Sequence, residues 1–144
     1  MKITYDEFLR PFFDSGETVR LRVFDDKKRG TFKGQKLECE IGRIDTMADT
    51  LRQHNDQSRG IFFVVNFGGG RDEDISRINA VFVENDSLSI EEQIARLEAF
   101  ELPPSLMVKT AKSVHAYWLV SDVKVSDFST MQKRLIAHFD GDPA

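Results

Sequence analysis

The sequence predicts an α+β fold, and three observations carry that reading. "ETVRLRVFDD" and "KLECEI" each alternate apolar with charged residues, as half-buried strands do, and stand close enough in the chain to form a hairpin. "GIFFVVNF" and "INAVFVEND" contain continuous apolar runs, which read as central strands. Segments with helical spacing recur between them, so the order is β-β-α-β and then β-α-β-β-α. Hairpins and crossovers therefore mix, which predicts one main sheet covered by helices.

Each element has a local reason. "YDEFLRPFF" reads as a short helix cut near Pro11, because proline cannot continue the hydrogen-bond ladder. Val19, Leu21 and Val23 alternate with Arg20 and Arg22, and the polar, glycine-bearing "DDKKRGTFKGQ" connects them to "KLECEI". Residues 17–41 thus form one long hairpin. "IDTMADTLRQHN" is a helix with Asp45 or Thr46 as its N-cap. "GGGRDEDIS" is a flexible, charged loop. "SIEEQIARLEAF" starts on a capping box, Ser89 with Glu92, and buries Ile90, Ile94 and Leu97. "PPSLMVKT" and "SVHAYWLV" are strands around a short turn near Ala111 and Lys112. "KVSDFSTMQKRLIAHF" is a helix with Phe128, Met131, Leu135 and Ile136 facing inward. The chain stops at "HFDGDPA", directly after a Gly-Asp-Pro turn, and reads as truncated inside a larger domain.

Composition narrows the class. A chain of 144 residues, 40% hydrophobic and 31% charged, is one globular domain with a real core. No apolar run approaches the length of a membrane span, and acids plus a proline in "MKITYDEFLRPFF" argue against a signal peptide. The single cysteine, Cys39, cannot form an internal disulfide, so a reducing, cytoplasmic setting is expected, with Cys39 packing as a small apolar residue. The net charge of −4 is not that of a general DNA coat protein. Nucleic acid would bind in a local basic groove or through metal ions. The basic candidates, Arg71, Arg77, Lys109, Lys112, Lys124, Lys133 and Arg134, gather in the second half of the sequence.

Several residues could carry chemistry. Glu84 and Asp86 close an apolar strand, and strand alternation puts them on one face about 6–7 Å apart. Like charges that close repel unless something positive sits between them. Oxygen ligands of this kind suit Mg²⁺ or Mn²⁺, and solvent at a polar strand end is the plain alternative. In "KSVHAYWLV", Ser113 and His115 share a face and can together contact a phosphate, with Lys109 and Lys112 just before them; a histidine packed at a strand edge is the alternative. Asp140 and Asp142 in "FDGDPA" supply further acids, although Asp, Gly and Pro also favour turns. They matter only if the fold returns them to Glu84. "NFGGGRDEDIS" fits neither common nucleotide fingerprint. It reads as a mobile loop with Arg71 or Arg77 available to an anion. His54 and His138 look like helix residues with solvent or packing roles.

The order of these motifs is more specific than any one of them. "VFVEND", then "SVHAYW", then "HFDGD" resembles the archaeo-eukaryotic primase superfamily, and most closely the primase–polymerase domains of phage- and plasmid-encoded replication proteins. "VVNFGGGRDEDI" and "PSLMVKTAKSVHAYW" match stretches that flank the first two motifs in those proteins. The resemblance covers roughly residues 60–144 well and the N-terminal third more loosely.

The resemblance implies an RRM-like catalytic sheet (residues 60–144) with an N-terminal α/β lobe (residues 1–59), the chain being a fragment of a longer protein. It implies a nucleotidyltransferase that makes primers on single-stranded DNA by two-metal chemistry. Glu84, Asp86 and Asp142 would be catalytic metal ligands for Mg²⁺ or Mn²⁺, with Asp140 as the other reading of the third acid. Ser113, His115 and Lys112 would bind the incoming NTP or dNTP. A helicase domain or protein is the expected further partner. Two departures stand out. The arginine-rich continuation that follows "GDPA" in the family is absent, so the fragment is expected to be weakly active or inactive. The first motif has Glu where many relatives have Asp.

Three other readings compete. A non-catalytic, RRM-like nucleic-acid binder or docking module should expose aromatic residues on its sheet; Phe62, Phe63 and Phe82 read as buried instead. A metal-dependent nuclease could use the same acids, but would shorten chains rather than release pyrophosphate. A rolling-circle nickase would need a His-hydrophobic-His pair, and there is none.

Overall fold

Val19, Leu21 and Val23 have almost no exposure, while Arg20, Arg22 and Phe24 between them face outward. That alternation builds the central strand of the first of two small sheets in the computed structural model, which describes residues 2–27, 30 and 32–142. The chain forms two compact units, Met1–Asp74 and Ile75–Ala144.

In the first unit, Thr18–Asp25 (β1) pairs antiparallel with Gln35–Glu40 (β2) and with Arg59–Phe63 (β3), in the order β2-β1-β3. The expected hairpin over residues 17–41 is therefore present. Lys28, Arg29 and Thr31 of its connection lie outside the described residues. The run "GIFFVVNF" forms an edge strand, not a central one.

Tyr5–Leu9 (α1) is capped by Thr4, whose hydroxyl accepts from the Glu7 N–H at 3.2 Å. The sequence offers Asp45 or Thr46 as cap of the helix that follows, but Asp45 does not serve there. Instead it caps α1, accepting from the N–H groups of Tyr5 (3.0 Å) and Asp6 (3.4 Å). Asp6 returns the favour, accepting from Gly42, Ile44 and Asp45 at 2.8–3.0 Å. Residues Ile44–Met47 wind as a 3₁₀ turn, and Ala48–Asp56 (α2) continues from it without a side-chain cap. Phe12 and Phe8 pack on Phe63 with ring centroids 5.1 and 5.9 Å apart. His54 is buried, its Nδ1 3.1 Å from the Arg59 guanidinium, so its role is packing.

In the second unit, Ala80–Val83 (β4), Leu106–Lys109 (β5) and Val114–Leu119 (β6) form an antiparallel sheet in the order β4-β6-β5. β4 is again an edge strand, although its sequence reads as central. Gln132 explains why: on Val125–Phe139 (α4), its amide donates to the Phe82 carbonyl at 2.6 Å and accepts from the Phe82 N–H at 3.2 Å. A helix side chain thus satisfies the open edge of the strand.

Val81, Val83, Val114, Ala116 and Trp118 bury one face of this sheet against Leu97 of Ile90–Glu98 (α3) and Phe139 of α4. Ser89 caps α3 as expected, its hydroxyl accepting from the Glu92 N–H. The single main sheet of the sequence reading is thus two three-stranded sheets with helices, which remains α+β. No helix among the described residues is long and apolar enough to cross a membrane.

Candidate active site

The site starts from strand register. Val83 lies opposite Ala116, and one step further Glu84 faces His115 across β4 and β6. The imidazole Nε2 of His115 is 2.8 Å from Glu84 Oε2. Ser113 donates its hydroxyl to the same oxygen at 3.4 Å. Tyr117 shares this face; burial, with the nearby Glu84 charge as the second cause, pushes its phenol up to about 12.

The turn before β6 is held on both sides. Thr110 N–H donates to the Ser113 carbonyl at 2.8 Å, and Ser113 N–H donates to the Thr110 hydroxyl at 3.0 Å. Gln93 of α3, buried, accepts from Val114 N–H at 2.7 Å and donates to the carbonyls of Leu88 and Lys112. Lys112 itself is exposed at the tip.

The third acid arrives from α4. Asp140 ends that helix in the left-handed conformation, φ 50°, and Gly141 N–H turns back to the Ile136 carbonyl. Gly141 then passes so close to β4 that a Cβ there would overlap the Val83 side chain and press on the Glu84 carbonyl. Asp142 N–H donates to the Glu84 carbonyl at 2.7 Å, and its carboxylate accepts from the Asp86 N–H at 3.1 Å. Asn85, buried between the two acids in sequence, locks this return: its amide donates to the Asp140 carbonyl at 2.6 Å and accepts from the Ser87 N–H at 2.9 Å.

The fold therefore brings Glu84, Asp86, Asp142, Ser113 and His115 together. Asp140 is different. Its side chain is 82% exposed and lies 3.6 Å from the Arg96 guanidinium. Pro143 and Ala144, the rest of the Gly-Asp-Pro turn, lie outside the described residues. In the first unit Arg71 pairs with Glu73 at 3.0 Å, and in the second Arg77 bonds Asn79 at 2.8 Å.

Sequence reasoning missed Gln93, Gln132, Asn85 and Gly141. A glutamine on an otherwise apolar helix face was the available signal for the first two. It also misjudged Phe62, which is 47% exposed. β3 is an edge strand, and Phe62 lies on the face opposite Ile61 and Phe63.

The implied divalent cation can be tested against these donors. Glu84, Asp86 and Asp142 meet at one strand end through backbone bonds, and hard oxygen ligands suit Mg²⁺ or Mn²⁺. Their arrangement does not form a ready ligand set: among the described residues no group of three or more His, Cys, Asp or Glu is placed to hold a metal ion. Glu84 is engaged by His115 and Ser113, and Asp142 by the Asp86 backbone.

No protein-family model and no curated protein sequence matches this chain. Solved structures do. The chain superposes on the AEP domain of the cyanophage S-2L primase–polymerase with a TM-score of 0.76 and 29% identity, covering 94% of this chain and 71% of that one. It also matches the primase RepB′ (TM-score 0.65, 20% identity, 94% of this chain and 42% of that one). The catalytic domain of RepB′ in complex with initiator DNA follows, with a TM-score of 0.64 and 19% identity over 94% of this chain and 65% of that one. At such identity the two RepB′ matches show the fold alone, and this chain spans less than two thirds of either. The fold is that of the archaeo-eukaryotic primase superfamily, so the resemblance first read from the motifs is borne out.

Proposed function

We propose that this chain is the catalytic domain of a DNA primase–polymerase, joining nucleotides on single-stranded DNA during phage or plasmid replication. The observation that supports the reading is the return of Asp142 onto the carbonyl of Glu84, the residue that pairs with His115 and Ser113, in a fold shared with a phage primase–polymerase.

The reaction is attack of a 3′-hydroxyl on the α-phosphate of an NTP or dNTP, with pyrophosphate leaving. Glu84, Asp86 and Asp142 would hold Mg²⁺ or Mn²⁺, which when bound neutralises phosphate charge and acidifies the hydroxyl. Ser113 and His115 now donate to, or pair with, Glu84. With nucleotide present the same two groups would turn their donors to phosphate oxygens, and Lys112 would add positive charge from the turn. Gln93 fixes the Lys112 and Val114 backbone, so these donors keep their positions while they exchange partners. A helicase is the partner this reading expects beside template and nucleotide.

One observation favours a second reading, a nucleic-acid-binding or docking module without catalysis: the acids lack a ready three-ligand arrangement among the described residues. Calorimetry of nucleotide binding with and without Mn²⁺, on the wild-type chain and on Glu84→Ala/Asp86→Ala, separates the two. Binding that needs both metal and acids supports the catalytic reading. A folded wild-type chain with no metal-dependent binding supports the module. Chain shortening in place of pyrophosphate release would point to a nuclease.

A further inference from the structure

Phe24 and Phe62 are large aromatic residues left open on a sheet, 52% and 47% exposed. They are diagonal neighbours on β1 and β3, with ring centroids 5.8 Å apart and planes tilted by 58°. Gly60 makes room for them. A Cβ on Gly60 would meet Phe62 Cε2 at 2.9 Å, so the ring lies down along its own strand and keeps its outer face in solvent.

The same face carries cations beside the rings. Across the three strands, register sets Phe62 opposite Arg22, and Arg22 opposite Lys36. Arg20 follows along β1. Arg22 donates to the carbonyls of Leu21 and Gly70 and has no carboxylate partner among the described residues. The acids of this face are Glu38, which pairs with Arg20 at 3.3 Å, Glu40 at the far end of β2, and Asp26 beside Gly60. In a chain of net charge −4, the paired open rings stand next to Arg22 and Lys36.

We propose that this face of β1 and β3 is a stacking platform for single-stranded nucleic acid. Phe24 and Phe62 stack on successive bases, and Arg22 and Lys36 contact the phosphates between them. Aromatic faces accept any base, so binding is tolerant of sequence and sensitive to salt. The proposal deepens the primase reading by naming where a template strand is held, and rests on that reading only for the strand's identity.

The test is binding of a labelled oligothymidylate by the 144-residue chain, followed by fluorescence anisotropy across salt concentrations. Phe24→Ala/Phe62→Ala should weaken binding about tenfold or more, and Phe24→Tyr/Phe62→Tyr should retain it. Arg22→Gln should flatten the slope of log affinity against log salt by about 0.7. If the wild type shows no metal-dependent nucleotide binding but still needs both phenylalanines for the oligonucleotide, the catalytic reading fails and the platform stands. Unchanged affinity in a folded Phe24→Ala/Phe62→Ala variant overturns the platform. So does a wild-type dimer that this variant dissolves, because the face would then be an interface between copies.

Discussion

The backbone N–H of Asp142 donates to the carbonyl of Glu84 at 2.7 Å, joining the end of α4 to the end of β4. Fifty-odd residues of chain separate the two, and no local sequence rule requires them to meet. The bond depends on a left-handed residue at Asp140, a missing side chain at Gly141 and a buried amide at Asn85.

Asn85→Ala should therefore damage the site more than it damages the fold. It leaves the Asp140 carbonyl and the Ser87 N–H without their partner, at a cost of about 1–3 kcal/mol. Urea unfolding gives that cost. Metal-dependent nucleotide binding at low denaturant should fall further than the unfolded fraction explains.

Gly141→Ala should act by overpacking. The new methyl group overlaps Val83 and presses on the Glu84 carbonyl, so either the β4 end or the turn must move. A destabilisation of roughly 1–3 kcal/mol is expected, with loss of nucleotide binding even where the protein stays folded. Thermal melts and calorimetry on one sample check both.

Gln132→Leu keeps most of the side-chain volume but removes both bonds to Phe82. The buried edge of β4 then lacks two partners, and the cost should be about 2–4 kcal/mol. Amide exchange should show the Phe82 N–H losing protection ahead of the β6 amides.

Asp6 should make the first unit acid-labile. Burial raises its pKa, but the N–H donors of Asp45, Ile44 and Gly42 lower it by more, so the folded value lies below the ordinary 3.8. The stability this gives is complete above 3.8 and is lost as pH falls through the lower folded value. Asp6→Asn should be less stable than the wild type at neutral pH, and the gap should narrow below pH 3.8, as read from urea midpoints across that range.

Elements set by local chemistry were legible in the sequence. The β1–β2 hairpin follows from alternation around Val19, Leu21 and Val23, and α3 follows from Ser89. Partner choice was not. The runs of β3 and β4 announce burial, but burial does not say whether another strand or a helix glutamine covers the edge, and both proved to be edges. Asp45 carries a cap signal that is satisfied by a helix some 40 residues earlier in the chain. Among the candidate site residues, Glu84, Asp86, Ser113 and His115 could be named from pattern. The choice between Asp140 and Asp142 needs the turn at Gly141, which is tertiary.

That choice supplies the most direct measurement. Mn²⁺-dependent nucleotide binding should be titrated on the wild type, Asp142→Asn and Asp140→Asn. Asp142→Asn should abolish metal-dependent binding, while Asp140→Asn, which touches only the exposed contact with Arg96, should leave it within about twofold. Loss with Asp140→Asn and retention with Asp142→Asn would instead make Asp140 the third acid.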